Sequence, residues 1–123
     1  MAAYLIISKG TELLRVPAER LVYAESDGNY THIVTLDGRK AMVSFQLGQF
    51  EDLIAAQLDN AEERFVRLGR GLIINTEYVY SIDISKQRIV LSDCLSFHQE
   101  LSASREVLIK LKAYIDATAN GNV

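Results

Sequence analysis

The chain has 123 residues, 49% of them hydrophobic and 24% charged, which fits one globular domain and excludes a disordered chain. Its single cysteine, Cys94, excludes an internal disulfide, and no apolar stretch nears the roughly 20 residues that cross a bilayer. The net charge of −3, from 13 Lys and Arg against 16 Asp and Glu, excludes a uniformly basic nucleic-acid binder, so contact with phosphates requires segregated charge.

Such segregation is visible. Residues 51–63 carry Glu51, Asp52, Asp59, Glu62 and Glu63 and no base, whereas Arg64, Arg67 and Arg70, then Arg105, Lys110 and Lys112, form basic runs. The N-terminal apolar run to Ile7 is too short for a signal peptide and no positive residue precedes it, so a cytoplasmic location is expected.

In chain order, residues 4–8 and 12–16 read as strands around Lys9-Gly10-Thr11. Pro17 suits a single helical turn or a corner over 17–20. Residues 21–26 are strand-like until Asp27-Gly28-Asn29 interrupts them with turn formers. Residues 30–36 alternate, Asp37-Gly38 signals a hairpin, and 39–44 return. The period then changes. Leu47, Phe50, Leu53, Ile54 and Leu58 share one helical face over 46–58, with Ser44 or Gln46 available as a cap.

Residues 65–68 and 72–75 form short apolar pieces broken by Gly69-Arg70-Gly71, and Asn75-Thr76-Glu77 reads as a cap or tight turn. A hairpin is expected from 79–84 and 88–92, a further strand over 95–101, and an amphipathic helix over 104–116 with Val107, Leu108, Leu111, Tyr114 and Ile115 on one face. The expected fold class is therefore mostly β, with about nine short strands in antiparallel sheets and two short helices. It forms a single domain over 1–123, with its core at about 12–116 and a frayed tail at 117–123.

The sequence offers little catalytic chemistry. His32 and His98 sit inside expected strands with no Cys or carboxylate at ligand spacing, which argues for ordinary strand residues rather than metal ligands. Cys94 lacks an activating base and reads as a small turn or core residue. Gly69-Arg70-Gly71 is too short for a phosphate loop. Neither an enzyme, a metal nor a cofactor is expected, and no small-molecule substrate or membrane partner.

Three places differ from scaffold. Asp27-Gly28-Asn29-Tyr30 reads equally as a plain β-turn or as a loop presenting an amide and a phenol, and an asparagine amide matches adenine N6 and N7. Arg70 stands between two glycines, either simply solvated or free to contact guanine or phosphate. In Ser102-Ala103-Ser104-Arg105 the serines suit a helix cap, but a cation in the first turn opposes the helix dipole by roughly 0.3–1 kcal/mol, and such a start suits phosphate.

Taken in order, residues 21–30 (LVYAESDGNY), Thr35-Leu36-Asp37-Gly38, Phe65-Val66-Arg67-Leu68-Gly69-Arg70, Ile73-Ile74-Asn75 and Leu101-Ser102-Ala103-Ser104-Arg105 resemble the LytTR DNA-binding domain, the output domain of many bacterial response regulators. The resemblance runs from about Glu12 to Tyr114. It implies antiparallel β-sheets and a transcriptional regulator of two-component type, reading successive major grooves through loops, commonly with two copies on paired direct repeats of double-stranded DNA. The DNA contacts it implies are Asn29, Tyr30, Arg70, Ser102, Ser104 and Arg105. Glu25 and Arg67 match structural positions and are expected to pair with each other.

Gly69 and Gly71 depart from the family, which has polar side chains at both places. The length leaves no room for a receiver domain, so a stand-alone regulator is expected. The rival expectation is a protein-interaction module that pairs with or antagonises a full-length LytTR regulator without tight DNA binding.

Overall fold

The computed structural model describes residues 3–119. The chain divides into two compact units, one running to Glu77 and the other starting at Tyr78. No helix among the described residues is long and apolar enough to cross a membrane.

The first unit opens with a hairpin of β1 (Tyr4–Lys9) and β2 (Glu12–Pro17), closed by Gly10 at φ +62°. Pro17 starts a 3-10 turn at Ala18–Arg20, as its fixed φ favours. A five-stranded antiparallel sheet follows, in the order β5-β4-β3-β7-β6. Its strands are β3 (Leu21–Asp27), β4 (Tyr30–Thr35), β5 (Lys40–Val43), β6 (Phe65–Leu68) and β7 (Leu72–Asn75). Helix α1 (Leu47–Gln57) and the short α2 (Ala61–Arg64) lie between β5 and β6 in sequence.

The predicted apolar face of α1 is the face that packs. Leu47, Phe50, Ile54 and Leu58 are buried, and Leu53 packs partly, against Leu5, Ile7, Ala24, Ile33, Phe65 and Ile73. Burial of one such side chain stabilises by about 1.5–3 kcal/mol. Gln46 precedes the helix, and its N–H donates to Gln49 Oε1 at 2.9 Å, so Gln46 rather than Ser44 stands at the cap position. Fully buried Asn75 closes the sheet. Its Nδ2 donates to Leu21 O at 2.9 Å and its Oδ1 accepts from Glu77 N at 3.0 Å, at the start of the 3-10 turn Thr76–Tyr78.

The second unit holds β8 (Val79–Asp83), β9 (Arg88–Ser92) and β10 (His98–Ser102) in the order β10-β9-β8, and α3 (Arg105–Thr118), which packs on β8. Leu108 and Leu111 are the buried residues of α3, while Tyr114 stays 38% exposed.

Three expectations change. The strand expected over 95–101 starts at His98, because Asp93 Oδ1 collects the N–H groups of Leu95, Ser96 and Phe97 at 2.9–3.0 Å and folds 93–97 into a loop with Leu95 92% exposed. Ala61–Arg64 forms a helix that the apolar pattern is too short to signal, set off by Asn60 in the left-handed region. Ala117 and Thr118 continue α3, since backbone hydrogen bonding carries a helix past its last apolar residue; residues 120–123 of the expected tail lie outside the described residues.

Candidate nucleic-acid interface

In the first unit, Asn29, Tyr30 and Arg70 come together at one end of the five-stranded sheet. Asp27 pairs with Tyr30, leaving Gly28 and Asn29 as a two-residue turn with Gly28 at φ +60°. Of the two sequence readings, the turn is therefore real, and it is also exposed. The β6–β7 turn reaches the same end because Ser26 N donates to Gly71 O at 2.9 Å. Tyr30 is 46% exposed, and its hydroxyl, like the Arg70 guanidinium, makes no hydrogen bond or ion pair among the described residues.

The hairpin tip is braced from behind. His32 Nε2 and Asp27 Oδ2 meet at 2.8 Å across the β3–β4 pair, so His32 does have a carboxylate neighbour, brought there by strand pairing. Thr31 Oγ1 donates to Phe45 O at 2.8 Å, and Gln46 Nε2 donates to Asn29 Oδ1 at 3.1 Å. The start of α1 thus orients the Asn29 amide, whose Nδ2 group has no protein partner among the described residues. Sequence reasoning missed Gln46 in this role, because its capping position explained its presence without a second partner.

Arg67 holds the Arg70 turn. Its Nε donates to Gly69 O at 3.1 Å, one terminal nitrogen to Arg70 O at 3.0 Å and the other to Glu51 Oε1 at 3.0 Å. The expected Glu25–Arg67 pair does not form. Arg67 stands opposite Ile73, which stands opposite Ala24, on the sheet face packed by α1. Glu25 is one residue further along β3 and alternation turns it to the other face, where Lys40 lies 4.0 Å away. Gly69 has φ +63°, so glycine serves the turn itself there. Gly71 has no such need: a Cβ would meet only Ser26 Oγ at an ordinary 3.6 Å.

In the second unit, Ser102 ends β10 and Ser104 caps α3, its Oγ accepting from Val107 N at 3.3 Å. That leaves the Ser104 hydroxyl proton to donate outward. Ser102, Ser104 and Arg105 are all exposed, so the three residues form one short surface stretch. The β8–β9 turn joins them, because Ser102 pairs with Arg88 and Ala103 N donates to Gln87 O at 3.2 Å. Its exposed Lys86 is a cation that sequence reasoning did not single out; only strand pairing brings it beside the start of α3.

Asp83 shapes that turn. Its Oδ1 accepts from Ser85 Oγ at 2.7 Å and Lys86 N at 3.0 Å, and these bonds hold its carboxyl below the usual range. The N–H groups of Leu95 and Phe97, with that of Ser96, do the same to Asp93. Cys94 is exposed in a turn at φ +62°. No group of His, Cys, Asp or Glu among the described residues is arranged to hold a metal ion.

The fold and these exposed loops define a small antiparallel β protein with cationic turns and a helix start at its surface. The LytTr DNA-binding domain family matches residues 11–116, and the chain belongs to that family. A solved LytTr DNA-binding domain, from a protein described as a methyl-accepting/DNA response regulator of Bacillus cereus, has the same fold, with a TM-score of 0.64 at 17% identity over 92% of this chain and 96% of that one. Comparison with the curated proteins found no match.

Proposed function

We propose that the chain is a cytoplasmic transcriptional regulator that binds double-stranded DNA sequence-specifically, reading the major groove through loops as two copies on paired direct repeats. Membership of a DNA-binding domain family supports the general role. The observation that carries the finer reading is the Arg70 turn. A partly buried arginine and its carboxylate fix the backbone of a turn whose own arginine has no partner among the described residues, the preorganisation that base recognition needs.

In this reading Arg70 and Arg105 touch guanine edges or phosphates, Asn29 reads or positions a base beside Tyr30, and Ser102 and Ser104 donate to phosphate. Asn29 suits the amide pattern of adenine. The net charge of −3 is compatible because the central turn residues Gly28, Asn29, Arg70 and Lys86 are cationic or neutral.

The test is a binding titration against a pool of random duplexes at low and moderate salt, with Arg70→Ala/Arg105→Ala alongside. Enrichment of a repeated sequence that the double variant does not bind is the expected result, with affinity falling steeply as salt rises. Absence of wild-type binding at low salt overturns the proposal and favours a module that acts on another LytTR regulator.

A further inference from the structure

The edges of the first unit's sheets are treated unequally. On the outer side of β1, the Gln57 amide accepts from Ile6 N and donates to Ile6 O, both at 2.8 Å. It satisfies that edge much as a neighbouring strand would. Among the described residues β2 pairs with β1 alone and β5 with β4 alone, which leaves their other edges without a strand partner there. Free edges are usually blunted, since they template pairing with another chain.

The free edges of β2 and β5 line one trough. Two adjoining hollows of about 350 and 540 Å³ lie there and share Leu14 and Ala41. Lys9 Nζ donates to Ser44 O at 2.9 Å near one end, and Leu36 N donates to Arg20 O at 3.0 Å near the other. Ile33 and Val43 add to the apolar lining, and Leu13 and Met42 stand 65% and 60% exposed beside it. The charged lining is Lys9, Arg15, Arg20 and Arg39 against Glu12 and Asp37. That balance is opposite in sign to the chain's own −3.

We propose that this trough receives an extended acidic peptide segment of a partner protein, laid as a strand along β5. Unpaired backbone edges supply hydrogen bonds along such a segment, and apolar walls take its alternate side chains. The basic lining selects acidic residues in between. A DNA duplex matches the charge but has no row of amides and carbonyls to pair with a strand edge. The inference is independent of the DNA reading, because none of the residues invoked in DNA contact other than Tyr30 lines the trough.

The probe is an acetylated octapeptide alternating valine and glutamate, titrated into the isotope-labelled chain and followed by amide NMR shifts. Saturable shifts at residues 12–17 and 40–43 are expected, weakened at least about tenfold by Arg20→Glu/Arg39→Glu, with the matching valine–lysine peptide inert. The spectrum of the free double variant, unchanged outside the trough, certifies its fold. No shift in these strands with the acidic peptide at about 1 mM, or equal shifts with the lysine peptide, overturns the proposal. So does displacement of the acidic peptide by duplex DNA from these strands, which would assign the trough to nucleic acid.

Discussion

Arg67 and Glu51 meet at 3.0 Å between β6 and α1, and the same guanidinium holds the carbonyls of Gly69 and Arg70. The acid-rich segment 51–63 therefore contributes a carboxylate that anchors a cationic turn. Charge segregation in this chain is partly a device of support.

Arg67→Ala removes three hydrogen bonds and should lower unfolding stability by about 2 kcal/mol, with Glu51→Ala costing under about 1 kcal/mol because that pair is half exposed. Urea denaturation measures both. Glu25→Gln should change stability by less than about 0.5 kcal/mol, since its ion pair with Lys40 is long, at 4.0 Å, and half exposed. A loss as large as that of Arg67→Ala would restore a structural role to Glu25.

Arg70→Ala should leave the denaturation midpoint unchanged while weakening specific DNA binding by about 1–3 kcal/mol if the guanidinium reads a base. If it touches phosphate instead, all duplexes weaken alike and the slope of affinity against salt flattens. Loss of stability comparable to the loss in binding would mean that Arg70 serves the fold.

Gly28→Ala tests the hairpin tip. Gly28 has φ +60° and open space around the site of a Cβ, so the penalty is conformational, about 1 kcal/mol. Thermal unfolding should register that loss, and the amide resonances of Asn29 and Tyr30 should move most. A neutral substitution would show that the turn relaxes.

Asn75→Ala should destabilise by about 2–3 kcal/mol, as it strips partners from the buried Leu21 carbonyl and from Glu77 N. Chemical denaturation checks this, and a change below about 0.5 kcal/mol would mean that water replaces the amide.

Asp93 carries a pH dependence. Its folded pKa lies below the ordinary 3.8 because three backbone N–H groups stabilise the carboxylate. Its contribution is therefore complete above about pH 4 and is lost as pH falls through the folded value. The Leu95, Ser96 and Phe97 amide shifts should be flat from neutral pH down to that point and move only below it. A midpoint above 3.8 would contradict the bonding.

Most elements and the three exposed places are legible in the order of residues alone. Period-two alternation, glycine turns and the apolar face of α1 are local signals, and they mark where the chain pairs, bends and packs. The same locality explains its failures. The 95–101 strand was shortened by Asp93, a side chain folding its own loop in competition with the apolar pattern. Glu25 and Arg67 looked like natural partners as charges in neighbouring motifs. Which face each occupies depends on pleat and on strand order, and β7 stands between their strands. That Glu51 answers Arg67, that Gln46 steadies Asn29, and that Lys86 lies beside the start of α3 follow from the folded chain alone. Each of these contacts joins residues far enough apart in the chain that pairing register and packing, rather than residue type, bring them together.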